Sequence, residues 1–273
     1  MLFRSSIAIP EGVTSIGDGA FSNCTALASA TLPSTLTSIG ASAFEDCTVL
    51  ADTDIPASVT SIGARAFAGC AAFTSVVLPS GLTTLGDGAF ADCGNISSVT
   101  VPPVVCSNKL ADFFDGSLDK ITSVAFTDGV TSIGADMFQG CTALASIAIP
   151  EDVTSIGAGA FSNCTALVTA TLPSTLTSIG ASAFDGCAVL AGIDIPEGVT
   201  SIGARAFAGC ATLTDVVLPS TVTELGDGAF DGCGNIESVT VTQEVCTRGL
   251  AAFFGDSIGT IKSVSFKIGR AHV

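Results

Sequence analysis

Cysteine is the residue type in this chain with the widest chemical repertoire, because its thiolate serves as a nucleophile, a metal ligand or a disulfide partner. The sequence contains eleven cysteines. Nine of them follow a phenylalanine by three residues: Cys24, Cys47, Cys70, Cys93, Cys141, Cys164, Cys187, Cys210 and Cys233. No Cys-x-x-Cys pair or Cys/His cluster occurs, so the spacing gives no support to a zinc site. It predicts small buried hydrophobic side chains flanked by Phe and Leu, and the odd count favours free thiols over a disulfide framework.

The other chemically active residues form no recognisable constellation. Carboxylate pairs such as Glu45/Asp46 fall at exposed phases, which is typical of a solvated surface rather than of general acid–base catalysis. The Gly-Asp-Gly segments lack the flanking acidic ligands of a calcium loop. The only histidine, His272, lies in the segment 268–273, which breaks the pattern of the chain and reads as a translated sequencing adapter. We therefore expect no catalytic residue, no metal site and no cofactor.

An internal repeat sets the position of all these residues. The segment Ala30–Asp52 has the skeleton Leu-Pro-x-x-Leu-Thr-x-Ile-Gly-x-x-Ala-Phe-x-x-Cys-x-x-Leu, which returns every 23 residues and gives eleven units. A period of this length predicts a solenoid, in which each unit buries its apolar side only against its neighbours.

Within one unit the hydrophobic period changes. Residues 27–32 alternate between apolar and polar side chains until Pro33 removes a ladder donor, which predicts a first strand. Residues 36–39 favour a second short strand. Residues 43–50 carry apolar side chains at three- and four-residue spacing, which predicts one short helix. The predicted fold class is an α/β repeat solenoid of 23-residue units, each with short parallel strands and a short helix.

A longer period of 140 residues lies over the short one, since the segment Ala30–Phe44 reappears unchanged from Ala170 onward. The fifth unit of each copy has 25 residues, 99–123 and 239–263, and there a Phe-Phe pair replaces the usual Phe–Cys core. The predicted organisation is a lead-in at 1–6, a first six-unit block at 7–146, a second block at 147–267 continuous with the first, and a non-native tail at 268–273.

Composition excludes several partners. Twenty-five acidic and nine basic residues give a net charge of −16, which repels nucleic acid and anionic membrane surfaces. Mean hydropathy is +0.66, yet no apolar run approaches the roughly 18 residues that a membrane span needs. We therefore expect no nucleic-acid binding and no membrane insertion. No signal peptide is visible, and because Met1 lies so close to an ongoing repeat, we expect the chain to be part of a longer protein.

The repeated string Leu-x-x-Ile-x-Leu-Pro-x-x-Val-Thr-x-Ile-Gly-x-x-Ala-Phe-x-x-Cys-x-x-Leu closely resembles the BspA-like, or Treponema-type, class of leucine-rich repeats over residues 7–266. Nine units fit it residue by residue, and the two 25-residue units depart from it. The resemblance implies a leucine-rich repeat array with its strands on one face, and it implies adhesion and protein binding at the surface of bacteria or protists. The function expected is a non-enzymatic protein- or glycan-binding scaffold in a cell-surface, adhesin-like protein. The alternatives are an intracellular, cytoplasmic scaffold of the same fold and, from another class, a hydrolase built on clustered carboxylates.

The outward positions of the predicted sheet are the natural binding surface. The candidate residues on the strands are Thr31, Asp52, Asp54, Thr171, Asp194 and Asp215. Those in the two long units are Lys109, Phe114, Lys120, Arg248, Phe254 and Lys262. The competing interpretation of the long units is a locally wider coil whose second phenylalanine fills extra core. The chain has no Trp and no Tyr, so we expect weak individual contacts strengthened by repetition, and uncapped terminal coils that associate end to end.

Overall fold

The structure, a computed structural model, describes residues 5–242 and 245–267. These residues divide into two compact units with the boundary after Gly129. Each unit is a parallel β-solenoid in which one coil lies beside the next at a spacing of 23 residues. The predicted block boundary at 146/147 is a property of the sequence duplication, and the predicted continuity of the blocks stays a prediction.

Each coil contributes to two ladders of short parallel strands. The first ladder uses the residues that precede the Leu-Pro pair. The second uses the pair before the next glycine, which is Ser-Ile in most coils and Thr84–Leu85 or Glu224–Leu225 in the others. The strands of the first ladder are β1 (Ser6–Ala8), β3 (Ser29–Thr31), β6 (Ser75–Val77), β8 (Ser98–Val101) and β9 (Ser123–Phe126) in the first unit, and β11 (Ser146–Ala148), β13 (Thr169–Thr171), β16 (Asp215–Val217), β18 (Ser238–Thr242) and β19 (Ser263–Lys267) in the second. The strands of the second ladder are β2 (Ser15–Ile16), β4 (Ser38–Ile39), β5 (Ser61–Ile62) and β7 (Thr84–Leu85), and then β10 (Ser132–Ile133), β12 (Ser155–Ile156), β14 (Ser178–Ile179), β15 (Ser201–Ile202) and β17 (Glu224–Leu225).

Register is the same between successive 23-residue coils, and across the two long coils residues 25 apart pair, as Ser98 pairs with Ser123. Residues 23 apart pair directly, as Ala8 pairs with Thr31 and Ile156 with Ile179. Side chains therefore stack in columns, because each coil repeats the same inward and outward positions. The predicted repeat architecture is confirmed.

The structure differs from the prediction in the segment between Phe and Leu, which forms a run of turns rather than a helix in the 23-residue coils. The cause is the backbone. The amide of Phe44 donates to the carbonyl of Ala66 in the next coil at 2.7 Å, and the amide of Asp46 donates to that of Ala68 at 2.8 Å. Amides that bond between coils cannot also close the i to i−4 bonds of an α-helix. The apolar residues are therefore spaced as in a helix, while the backbone amides donate to carbonyls of the next coil.

In the described residues, helix is confined to the two 25-residue coils. It comprises α1 (Pro103–Cys106), α2 (Ala111–Phe114), α3 (Ala251–Phe254) and two 3₁₀ segments (Val245–Arg248 and Gly255–Thr260). None of these helices approaches the length and hydropathy that crossing a membrane requires.

Phenylalanine rings form the central column of each unit. In the first unit the rings of Phe21, Phe44, Phe67, Phe90 and Phe114 stack in sequence with centroids 5.1–5.2 Å apart. In the second unit the column runs through Phe138, Phe161, Phe184, Phe207, Phe230 and Phe254 at 5.1–5.3 Å. Offset stacking at this separation is favourable beyond the burial of apolar area.

Candidate functional site

The repeated cysteines form a second column beside the phenylalanines. Cys70 Sγ donates to the carbonyl of Phe44 at 3.2 Å, and Cys93 Sγ donates to that of Phe67 at 3.1 Å. Both side chains are fully buried. The prediction of a buried structural column is confirmed for the repeated cysteines from Cys47 to Cys233, whereas Cys24 is half-buried. The Cys246 side chain and His272 lie outside the described residues.

Burial also removes the nucleophilic character of these thiols. It raises the pKa of Cys47 to about 11, and it raises the pKa values of Cys187 and Cys233 to about 12. A thiol with so high a pKa carries almost no thiolate near neutral pH. The column therefore supplies packing and weak S–H to carbonyl hydrogen bonds rather than reactivity.

Several surface carboxylates form ion pairs with an arginine or a lysine. Glu45 accepts from Arg65 Nε at 2.6 Å, and hydrogen bonds from Ser42 and Arg65 lower the pKa of the Glu45 carboxyl. Within residues 5–242 and 245–267 no group of three or more Cys, His, Asp or Glu side chains has metal-binding geometry. Arg65 also has a positive φ of 56°, a conformation that L side chains adopt at some cost.

The six strand residues predicted as a binding surface all have exposed side chains. They are Thr31, Asp52, Asp54, Thr171, Asp194 and Asp215. Inward neighbours in the same strands are buried, as shown by Val216 beside Asp215. The structure thus places Thr31, Thr171 and Asp215 at outward positions of first-ladder strands, whereas Asp52, Asp54 and Asp194 are exposed in segments between such strands. The binding role of all six stays a prediction.

The residues predicted in the long coils are placed differently. Lys109, Lys120, Arg248 and Lys262 are exposed. Lys120 pairs with Asp119 at 2.6 Å, Lys262 pairs with Glu237 at 2.6 Å, and Arg248 contacts Asp227.

Phe114 and Phe254 have no exposed surface, and each ends the phenylalanine column of its unit. They are core residues, as the wider-coil interpretation describes, so a direct contact between either ring and a ligand does not fit this structure.

The first ladder is interrupted once in each unit, at residues 52–54 and at 192–194. Sequence reasoning missed this feature, although a signal is present. Asp54 and Asp194 occupy the third strand position, where the other coils carry Ala, Thr, Val or Ser. Aspartate is depleted in strands because its side chain competes for backbone hydrogen bonds.

In the first unit a carboxylate closes the interruption. Asp52 Oδ1 accepts from the amides of Thr74 at 2.7 Å and Ser75 at 3.2 Å, and Oδ2 accepts from their two hydroxyls at 2.7 and 2.9 Å. The side chain therefore takes the place of the carbonyl that accepts these amides in an uninterrupted coil. Desolvation alone would raise the pKa of Asp52, but these hydrogen bonds outweigh it and lower the pKa.

In the second unit the residue equivalent to Asp52 is Gly192, which has no side chain to close the interruption. A single bridge joins Gly192 to Thr169 in the preceding coil. On the other side a groove of about 250 Å³ separates the segment from β16, and its lining includes Gly192, Asp194 and Asp215.

A family model described as the BspA type leucine rich repeat region matches residues 4–117, 111–237 and 177–268. The chain belongs to this family. No curated protein matches the BspA-type chain.

Among solved structures, the BspA-type chain is similar to a leucine-rich repeat protein from Bacteroides ovatus, with 24% identity, a TM-score of 0.44, and coverage of 97% of this chain and 92% of that one. It is also similar to a leucine rich repeat protein of T. pallidum, with 26% identity, a TM-score of 0.43, and coverage of 69% and 78%. A third similar structure is a leucine rich cell surface protein of Faecalibacterium prausnitzii, with 23% identity, a TM-score of 0.43, and coverage of 98% and 89%.

Proposed function

We propose that this BspA-type chain is a non-enzymatic scaffold that binds a protein or a glycan through the outward side chains of the first ladder, as part of a cell-surface, adhesin-like protein. The observation that carries the proposal is that each coil repeats the same buried positions and the same exposed positions. Phe, Cys and Ile repeat at buried positions, while the third strand position repeats as an exposed one, as at Thr31 and Thr171. Repetition of one outward position along a stack supplies an extended surface for recognition.

The chemistry of this surface favours many weak contacts. Its outward residues are Ser, Thr and Asp with a few exposed apolar side chains, among them Val77 at 63% exposure and Val217 at 53%. The chain has no Trp and no Tyr, the residues that anchor compact high-affinity interfaces. Affinity would then come from several coils acting together on a repetitive ligand.

The alternative is an intracellular scaffold of the same fold. The buried cysteines favour it, because their thiols act as hydrogen-bond donors and a reducing compartment preserves such thiols. Brief protease treatment of intact source cells separates the two locations. Loss of the protein without lysis supports the surface, and its survival until lysis supports the interior.

The binding function can be tested with matched surface variants. The purified chain would be applied to a glycan array and to an array of extracellular proteins, and any ligand measured by surface plasmon resonance. Changing both Thr31→Lys and Thr171→Lys places two charges on the outward face of the first ladder and should weaken binding at least tenfold.

The control carries Thr48→Lys and Thr142→Lys, which are equally exposed positions beside the cysteine turn and add the same charge. It should bind as the parent does. Failure to bind any ligand would count against the proposal, and so would equal weakening by both variants, which would indicate a general effect of charge.

A further inference from the structure

Among the described residues, the interruption in the second unit leaves one edge of β16 without a partner strand. The amide of Val168 donates to the carbonyl of Ala145 at 2.9 Å, and the amide of Glu237 donates to that of Thr214 at 2.8 Å. The amide of Thr214 occupies the equivalent position, and within the described residues it reaches no such carbonyl. In the part of the chain that the structure describes, β16 pairs only with β18, which lies on its other side. An open strand edge of this kind presents backbone donors and acceptors for a further strand.

The duplicate copy shows that this edge needs a hydrogen-bonding partner. At the same place in the first unit, the Asp52 carboxylate accepts from both the Thr74 and Ser75 amides. Gly192 replaces Asp52 in the second unit, and the carboxylate is lost with it. The second unit also has Asp215 in place of Ser75, and its carboxylate accepts from the hydroxyls of Thr214 and Ser238. Among the described residues, the edge is therefore closed by a carboxylate in the first unit and is open at the Thr214 amide in the second.

The groove beside the open edge has a definite charge and shape. It holds about 250 Å³ and is lined by Asp194, Glu197 and Asp215 together with the apolar residues Ile193 and Val217. No lysine or arginine lines it. Carboxylates around an open strand edge, with apolar side chains between them, are complementary to an extended backbone that carries basic side chains.

We propose that this groove binds an extended, lysine- or arginine-containing peptide segment of a partner protein, which pairs through its backbone with the open edge of β16. The inference rests on the proposed binding function and names the class of partner. Strand addition draws affinity from main-chain hydrogen bonds and specificity from the side-chain positions on either side. Here Asp194 and Asp215 would select positive charge on the outward face, and the apolar residues that alternate with the basic ones would point inward, as Val216 does.

The test uses a fluorescein-labelled, N-acetylated Lys-Val-Lys-Val-Lys amide and measures its binding by fluorescence anisotropy. The parent chain should bind this peptide, and it should bind Glu-Val-Glu-Val-Glu at least tenfold more weakly. A version of the basic peptide with N-methylated backbone amides keeps its side chains and charge but cannot donate along a strand, so its affinity should also fall at least tenfold.

Two substitutions at one position separate the groove from the general charge of the protein. Gly192→Asp should accept the edge amides as Asp52 does. It should weaken binding of the basic peptide at least tenfold, although it adds a negative charge. Gly192→Ala is the matched control, because an added Cβ meets nothing within 4 Å, and it should bind as the parent does. Circular dichroism would confirm that both variants keep the parent fold.

Three results would overturn the inference: no binding of the basic peptide by the parent, equal binding by Gly192→Asp, or equal binding of the N-methylated peptide. The last would indicate a purely electrostatic contact. If the array ligands bind and respond to the Thr31 and Thr171 changes while the peptide does not bind, only the peptide inference fails and the binding function stands.

Discussion

Asp52 shows how one side chain can replace a piece of backbone. Its carboxylate accepts four hydrogen bonds from Thr74 and Ser75, and it is the only acceptor for both amides among the described residues. Because the side chain is exposed, screening by solvent reduces the value of these bonds. We expect Asp52→Asn to lower the free energy of unfolding by about 1 kcal/mol near neutral pH.

The pH dependence of that loss identifies its origin. Desolvation raises the pKa of Asp52, but the hydrogen bonds lower it by more, so that the folded pKa lies below the unfolded one. A carboxyl of this kind stabilises fully at pH values above its unfolded pKa and loses that contribution as the pH falls through the folded pKa. The difference between parent and Asp52→Asn in urea unfolding should be largest near pH 7 and vanish in acid. Asp54→Asn, two residues away in the same coil and also exposed, is the charge-matched control. A difference that stays constant between pH 7 and pH 3 would contradict this account.

At the scale of the element, the glycine of the Ile-Gly pair sets how closely adjacent coils approach. A Cβ added at Gly226 would lie 2.1 Å from the amide nitrogen of Ala204 and 2.5 Å from the carbonyl carbon of Gly203. Both atoms are backbone and cannot rotate away. We expect Gly226→Ala to lower the free energy of unfolding by about 2 kcal/mol, measured by urea denaturation, because the two coils must separate.

Gly17 provides a control at the same position of the coil. An added Cβ there meets nothing within 4 Å, and its φ is not in the left-handed region. Gly17→Ala should therefore leave the denaturation midpoint unchanged or raise it slightly, since alanine reduces the entropy of the unfolded chain. Equal destabilisation by the two substitutions would show that the backbone preference of glycine, rather than close contact between coils, explains why glycine occupies this position.

The elements were predictable to the extent that one coil determines its own structure. The alternation of Ala30, Thr31 and Leu32 fixed the inward face of β3, and the recurrence of Phe and Cys at one phase fixed both columns. The replacement of the predicted helix by turns was not predictable, because the amides of Phe44 and Asp46 bond to the next coil, and the spacing of apolar residues contains no information on that choice. The strand interruptions depend on how neighbouring coils meet, so they too lie beyond a single-coil argument, although Asp54 and Asp194 mark them.

The candidate site was predicted in part for the same reason. Exposure follows from strand alternation, so the outward placement of Thr31 and Thr171 could be derived from the sequence. The significance of Gly192 could not be derived, because it depends on the Thr214 amide, which has no acceptor among the described residues, whereas its counterpart Thr74 has one. Phe114 and Phe254 were predicted as binding residues, but both extend the stacked phenylalanine column of the core into the long coils.

At the scale of the whole molecule, a solenoid must cover the apolar column of its final coil. Val239 and Val241 of β18 are buried, with exposures of 1% and 0%, because β19 lies over them. Their counterparts on β19, Val264 and Phe266, are exposed by 39% and 60%. Within the described residues no strand pairs with the far edge of β19.

An exposed strand edge with two uncovered core positions is a template for a second copy of the chain. We expect the 273-residue chain to show a concentration-dependent mass above that of a monomer in size-exclusion chromatography with light scattering. The double variant Val264→Lys and Phe266→Lys should elute as a monomer, because charge at the column positions opposes stacking. Ser263→Lys with Ser265→Lys adds the same charge on the alternate face of β19 and should still associate. A parent chain that stays monomeric at all concentrations would show that this edge is not an association surface, whereas monomeric behaviour of both variants would assign the association to charge rather than to the uncovered apolar column.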